Sequence, residues 1–182
     1  FVLGVMVLGE TVAAQTAKKS QTPLQQATRA FLDGKYDEVD RLTAQLGSND
    51  PAAVALKARA LIARGRYAEA ETALRAIATR MPASAAALEL GLLGRTLGRS
   101  DANAILNRVA ADSPDLVAAA RALRGLGAFQ DANATFRNAA ARAPNDPDLN
   151  TEWGELFLEK HNYADAVKSF QIALEADPSW TP

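Results

Sequence analysis

Prolines recur along the chain at Pro82, Pro114, Pro144 and Pro178, and three other columns step in the same register. Ala70, Ala102, Ala132 and Ala166 form one; Leu74, Leu106, Phe136 and Phe170 form the second; Ile77, Val109, Ala139 and Ala173 form the third. The spacings between successive prolines are 32, 30 and 34 residues. Four columns that keep together through unequal spacings mark an internal repeat, so each unit must bury its apolar face against its neighbours. Within a unit the offsets of four and seven residues trace one face of a helix, which the proline ends. Alanine fills about 40 of the 182 positions and aromatics only 6%. Alanine is the best helix former and is depleted in strands, which makes the expected fold all-α.

A second helical pattern precedes each of these helices, as in Val54, Ala58 and Leu61, or Trp153, Leu156 and Phe157. Asp50-Pro51, Ser113-Pro114 and Asp146-Pro147 each offer a capping side chain followed by proline at the first helical position. Short turns join the two helices of a unit: Gly34-Lys35-Tyr36, Gly65-Arg66-Tyr67, Gly98-Arg99, Gly127-Ala128-Phe129 and His161-Asn162-Tyr163. This set of columns resembles the tetratricopeptide repeat, a helix–turn–helix unit. The last unit carries it best, in Trp153-Gly154, Tyr163, Ala166, Phe170, Ala173 and Pro178. Tyr67, Ala70, Leu74, Ile77 and Pro82 follow it closely in the second unit. The third unit has Arg99 near the place of the aromatic, the fourth has Ala120 in place of the glycine and a shortened first helix, and the first (Phe31, Tyr36, Val39, Leu46) is weak. The resemblance implies a right-handed α-solenoid of about five antiparallel helix–turn–helix repeats, with the first helices lining a concave groove.

The expected units are 23–50, 51–82, 83–114, 115–144 and 145–178, preceded by a linker over 15–22 and followed at 179–182 by the start of a continuation. Phe1 to Gly9 is a continuous apolar run too short to span a bilayer, with small residues at Val12-Ala13-Ala14. It reads as a truncated secretory signal peptide over 1–14, or alternatively a truncated membrane anchor, and so as an exported chain, periplasmic or extracellular, of bacterial type. Phe170, Ile172 and Leu174 are expected to leave apolar surface open at the end of the array, unless Trp180 folds back over it.

Chemistry is sparse. With no cysteine and one histidine, thiolate metal sites, thiol nucleophiles and two-histidine mechanisms are excluded. His161 lies in a turn without a neighbouring nucleophile or orienting carboxylate and reads as solvated. Glu152, Glu155 and Glu159 share a helix face; they read as an outward charged stripe, with a cation site or a carboxylate pair for acid–base work as the sharper alternatives. Asn133-Ala134-Thr135 matches a glycosylation sequon but falls within a repeat helix. No phosphate-binding glycine loop or HExxH occurs. No catalytic residue, metal or cofactor is therefore expected.

Charge is segregated. Residues 51–143 hold 13 basic and 7 acidic side chains, and residues 144–182 hold 2 and 8. The resemblance places Arg59, Arg95, Arg121 and Arg124 in the groove, where the planar guanidinium fork suits an acidic or C-terminal peptide. Thr151, Glu155 and Leu158 fall on the same surface, so the groove is expected to change sign along its length. Charge reversal of the four arginines is expected to affect binding and spare stability. The expected function is a non-enzymatic protein–protein interaction scaffold that binds a polypeptide in the groove. The alternative is the exported repeat region of a larger enzyme, such as a peptidase, with its catalytic domain beyond residue 182. Nucleic acid is disfavoured because no aromatics are interleaved with the arginines.

Overall fold

The computed structural model describes residues 21–180; the signal-like segment 1–14 and most of the 15–22 linker lie outside them. The described residues form ten helices: α1 (Pro23–Leu32), α2 (Tyr36–Leu46), α3 (Pro51–Ala63), α4 (Tyr67–Ala78), α5 (Ala85–Thr96), α6 (Ala102–Asp112), α7 (Leu116–Gly125), α8 (Phe129–Ala140), α9 (Pro147–Glu159) and α10 (Tyr163–Ala176). Each odd-numbered helix packs against the even-numbered helix that follows it, giving five hairpins. Each of the first four even-numbered helices also packs on the odd-numbered helix of the next hairpin. The odd-numbered helices touch one another in sequence, α1 to α3 to α5 to α7 to α9, whereas no two even-numbered helices do so among the described residues. The odd-numbered helices therefore make the continuous inner layer of a solenoid, and the even-numbered ones fan out on its convex side.

Local chemistry sets the ends of these helices. All five hairpin turns close with one bond pattern, from the second residue past the cap back to the helix: Lys35 N donates to Ala30 O at 2.8 Å, Arg66 N to Leu61 O at 2.9 Å, Arg99 N to Gly94 O at 2.7 Å, Ala128 N to Leu123 O at 3.0 Å, and Asn162 N to Phe157 O at 2.9 Å. This is the Schellman arrangement, whose preceding residue must be left-handed. Glycine fills that place in the first four turns, with φ between 69° and 79°, and His161 fills it in the fifth with φ of 59°. Where an aromatic follows, the next helix starts on it (Tyr36, Tyr67, Phe129, Tyr163); in the third unit, without one, α6 starts only at Ala102.

Asp50 and Asp146 cap α3 and α9 ahead of proline as expected. Ser113-Pro114 does not start α7: Ser113 closes α6, and Asp115 caps α7 by accepting from Val117 N. Two starts escaped the sequence reading. Thr22 and Gln25 form a reciprocal capping box on α1, and Ser84 accepts from Ala87 N at the head of α5.

The repeat columns are the core. Ala70, Leu74, Leu106, Val109, Ala132 and Phe136 are fully enclosed. Small residues sit where helices cross most closely. A methyl group added at Gly154 would lie 2.5 Å from the Phe170 ring, and one at Gly91 2.6 Å from Leu106. Trp180 does fold back, donating its indole N–H to Thr151 Oγ1 at 2.9 Å. Beside it, Arg29 of α1 donates to Asp177 Oδ2 at 2.5 Å and Ser179 Oγ at 2.7 Å, so the two ends of the array meet through side chains. The apolar surface expected at the end remains at Ile172 and Leu174, while Phe170 is half-buried against Gly154.

Candidate functional site: the charged inner cleft

Helices α3, α5, α7 and α9 present charged side chains on the inner layer. Arg59 (α3), Arg121 and Arg124 (α7) and Glu152, Glu155 and Glu159 (α9) line one cleft of about 310 Å³, together with Leu92 and Gly125. Three of the four expected arginines are thus brought together. Arg95 is not among them: it is exposed and donates to Asn103 Oδ1 of its own hairpin at 3.1 Å.

The arginines are not an open stripe. Arg121 donates to Glu89 Oε1 of α5 at 2.9 Å and lies 2.9 Å from Glu152 Oε1, with only 17% of its side chain exposed. Arg124 reaches Glu152 at 2.9 Å, Glu155 at 2.7 Å and Glu159 at 2.9 Å. Glu152 therefore bridges both arginines, one per carboxylate oxygen. This corrects the reading of a solvated stripe for Glu152, whereas Glu155 and Glu159 remain about half-exposed. Glu152 is 8% exposed, and all three are engaged by Arg124. The cation reading fares no better, since no group of three metal-ligating side chains stands together among the described residues.

The electrostatics follow from burial and pairing. Burial alone would lower the Arg121 guanidinium, but Glu89 and Glu152 hold it above its ordinary value. Arg124 is likewise held up, against burial, by the Glu155 hydrogen bond and the charge of Glu152. Burial pushes the Glu152 carboxyl above the ordinary glutamate range, although Arg121 pulls it the other way. A buried ionic network of this kind couples the site to the stability of α5, α7 and α9. The expectation that charge reversal spares stability is overturned for Arg121 and Arg124, because reversal would set like charges against Glu89 and Glu152.

Arg59 differs. It makes no ion pair among the described residues, and its guanidinium carbon lies 4.7 Å from the Phe31 ring centroid, a cation–π contact that leaves its hydrogen-bond donors available. Of the other groove positions, Thr151 is buried and taken by Trp180, while Leu158 is 47% exposed. His161 is exposed, its Nδ1 lying 3.1 Å from the Tyr163 hydroxyl. Asn133 lies within α8 and accepts from Trp153 Nε1 at 2.8 Å, which occupies the sequon side chain in packing.

Sequence reasoning missed Glu89. It stands alone in the apolar run Ala85–Leu93, and a lone carboxylate in such a helix requires a buried partner. That signal was available without coordinates.

Comparison with known proteins bears on the fold. The family described as tetratricopeptide repeat matches residues 55–116 and again 117–179. A thermophilic TPR protein of Thermus thermophilus aligns with a TM-score of 0.58 at 20% identity, over 86% of this chain and 90% of that one. The Cut9–Hcn1 hetero-tetramer of the APC/C aligns with a TM-score of 0.55 at 17% identity, over 84% of this chain and 31% of that one. MamA from Desulfovibrio magneticus RS-1 gives a TM-score of 0.44 at 16% identity, over 88% of this chain and 96% of that one. No curated protein sequence matches the chain.

Proposed function

This chain belongs to the tetratricopeptide repeat family, and we propose that it works as a non-enzymatic scaffold that binds a polypeptide in its inner groove. The observation that carries this reading is the cleft of about 310 Å³ on the inner layer, where Arg59 makes no ion pair among the described residues. Rigid stacked helices offer a preformed surface, so a peptide bears most of the ordering cost itself. Arg121 and Arg124 are already neutralised, which narrows the expected acidic recognition to Arg59. A carboxylate of an extended peptide pairs with the Arg59 fork, and the half-exposed Glu155 and Glu159 favour a basic residue further along. The signal-like pattern over 1–14 supports export to the periplasm or beyond as part of the same proposal, which N-terminal sequencing of the mature protein checks.

The test is a peptide library screened against the native chain and the variant Arg59→Glu. Native protein selects peptides carrying an acidic residue, and R59E loses that selection while keeping the native melting temperature. Selection that ignores R59E removes Arg59 from the site. Selection of no peptide class at all removes the groove.

A further inference from the structure

The connections between units run along one edge of the solenoid, where the even-numbered helices end and the odd-numbered ones begin. Three of the four repeat prolines are flanked by polar or small residues: Ser113 and Asp115 beside Pro114, Ala143 and Asn145 beside Pro144, Asp177 and Ser179 beside Pro178. The α4–α5 connection departs from this, with Met81 and Ala83 beside Pro82. Met81 is 44% exposed. Its backbone is fixed, since its N–H donates to Ile77 O at 2.9 Å and its carbonyl accepts from Ser84 N at 3.2 Å. Arg80 fastens this turn to the preceding connection by donating to Asn49 Oδ1 at 2.9 Å.

One exposed methionine on a surface is ordinary. Here it lines a hollow of about 460 Å³ together with Pro51, Pro82, Ala83, Pro114 and Ala118, drawn from the second, third and fourth units. That size is in the range of ligand pockets. Proline and alanine have no side-chain freedom to lose, so an incoming group meets walls already in place. The hollow shares no lining residue with the inner cleft.

The lining selects what fits. A methionine sulfur packs favourably against the edge of an aromatic ring, and prolyl rings pack on aromatic faces, as they do in proline-rich recognition. The rim adds charge. Arg108 is spent on Asp112 of its own helix. Asp115, and Asp50 beside Pro51, take only backbone N–H donors among the described residues. The partial charge of each helix start offsets only part of a full carboxylate charge, so the rim is net negative although the stretch 51–143 is basic. From this we propose that the edge is a second docking surface, for a polypeptide segment that presents an aromatic residue beside a lysine or arginine. Its charge preference is opposite to that of Arg59, so the chain holds two unlike segments at once.

The probe is a short capped peptide with phenylalanine followed by lysine, flanked by glycine and serine. The chain has two methionines, Met6 and Met81, so isotopic labelling of the methionine methyls gives a direct reporter, assigned by its loss in Met81→Ser. The Met81 signal moves upfield under the ring and saturates by about 2 mM peptide. Broadening of the peptide's phenyl signals reads binding in every variant. M81S weakens binding at least about 10-fold, and so does alanine in place of the peptide's phenylalanine. Glutamate in place of its lysine also weakens binding, and Asp115→Asn, which keeps a competent cap, removes most of that difference. R59E binds as the native chain does, and all variants keep the native melting temperature. A fixed Met81 signal, equal binding of the alanine peptide, M81S without effect, or a preference for glutamate over lysine overturns the proposal. Loss of binding in R59E moves it to the inner cleft and overturns it equally.

Discussion

Replacing Arg121 with methionine keeps most of the side-chain volume and removes the charge. Glu89 then loses the one charged partner it has among the described residues, and Glu152 keeps Arg124. Breaking a buried pair from one side costs about 3–5 kcal/mol, because the surviving charge stays desolvated. The side chains of Glu89 and Glu152 retain 9% and 10% exposure, and Glu152 is still half-partnered, which places Arg121→Met near the lower end, at about 3 kcal/mol. For a domain of this size that is a fall of roughly 6–12 °C in melting temperature. Urea unfolding at pH 7, followed by far-UV circular dichroism, measures it. Adding Glu89→Gln to Arg121→Met removes the stranded charge and restores most of the loss.

The pH dependence supplies a second check. A carboxyl whose folded pKa lies above its unfolded value stabilises the fold below the unfolded pKa, and that stability is lost as pH rises through the folded pKa. Burial already holds Glu152 in this direction, against Arg121 and Arg124 and beside Asp148 and Glu155. Without Arg121, Glu152 is pushed further upward, so the cost of R121M is largest at neutral pH and shrinks as pH falls toward 4.5, the ordinary glutamate value. A cost under about 1 kcal/mol at pH 7, the value of an exposed pair, would refute the buried network. So would a cost that is flat with pH, or one that E89Q fails to rescue.

Gly154→Ala drives a methyl group to 2.5 Å from the Phe170 ring, and overpacking of this kind costs about 1–3 kcal/mol in chemical unfolding; no loss of stability would place the α9–α10 crossing elsewhere. Ala166→Trp, at a position 2% exposed between the same two helices, melts the last hairpin, read as lost helicity and a lowered melting temperature. His161→Gly relieves a left-handed residue at φ of 59°. The gain is about 0.5–1 kcal/mol after the entropy of the unfolded chain is counted, and Gly65→Ala moves stability the other way. Arg29→Ala separates the two ends of the array, raising the radius of gyration in small-angle scattering while costing less than about 1 kcal/mol, as expected of a part-exposed pair. Asp177 is held low by the Ser179 hydrogen bonds and by Arg29. Its stabilisation is present above the ordinary aspartate value and lost as pH falls through its lower folded value, so acid opens the same contact.

The repeat was legible because stacking enforces it. Each unit presents the same small and large residues to its neighbours, so Ala70, Ala102, Ala132 and Ala166 had to recur, and the helices followed from their columns. Where a local choice had two solutions, the sequence did not decide. Ser113 and Asp115 both qualify as a cap, and the pair of residues preceding Leu116 lets the nearer one win. The groove map located Arg59, Arg121 and Arg124 in one cleft, since register alone fixes which face a residue occupies. Register says nothing about which partner a long side chain selects from across the layer. Arg95, on the same helical layer, turned to Asn103 of its own hairpin.

The segregated charge of the chain explains the difference between the stripe expected and the network observed. A basic middle and an acidic end look like a surface that awaits a charged partner, but stacking brings the two blocks together. Arg121 and Arg124 belong to the basic block, and Glu152, Glu155 and Glu159 to the acidic one, and α7 lies directly against α9. Two units carrying opposite charge at facing positions neutralise one another before any ligand arrives, and the inner layer gains cohesion where its alanine-rich helices have little side-chain area to bury. Arg59 sits two units earlier on α3; it lines the same cleft but makes no ion pair among the described residues, and rests on Phe31 instead. Among the described residues Arg59 is thus the cleft arginine that rests on an aromatic face rather than in an ion pair, which is why the proposed recognition of a peptide carboxylate is placed there.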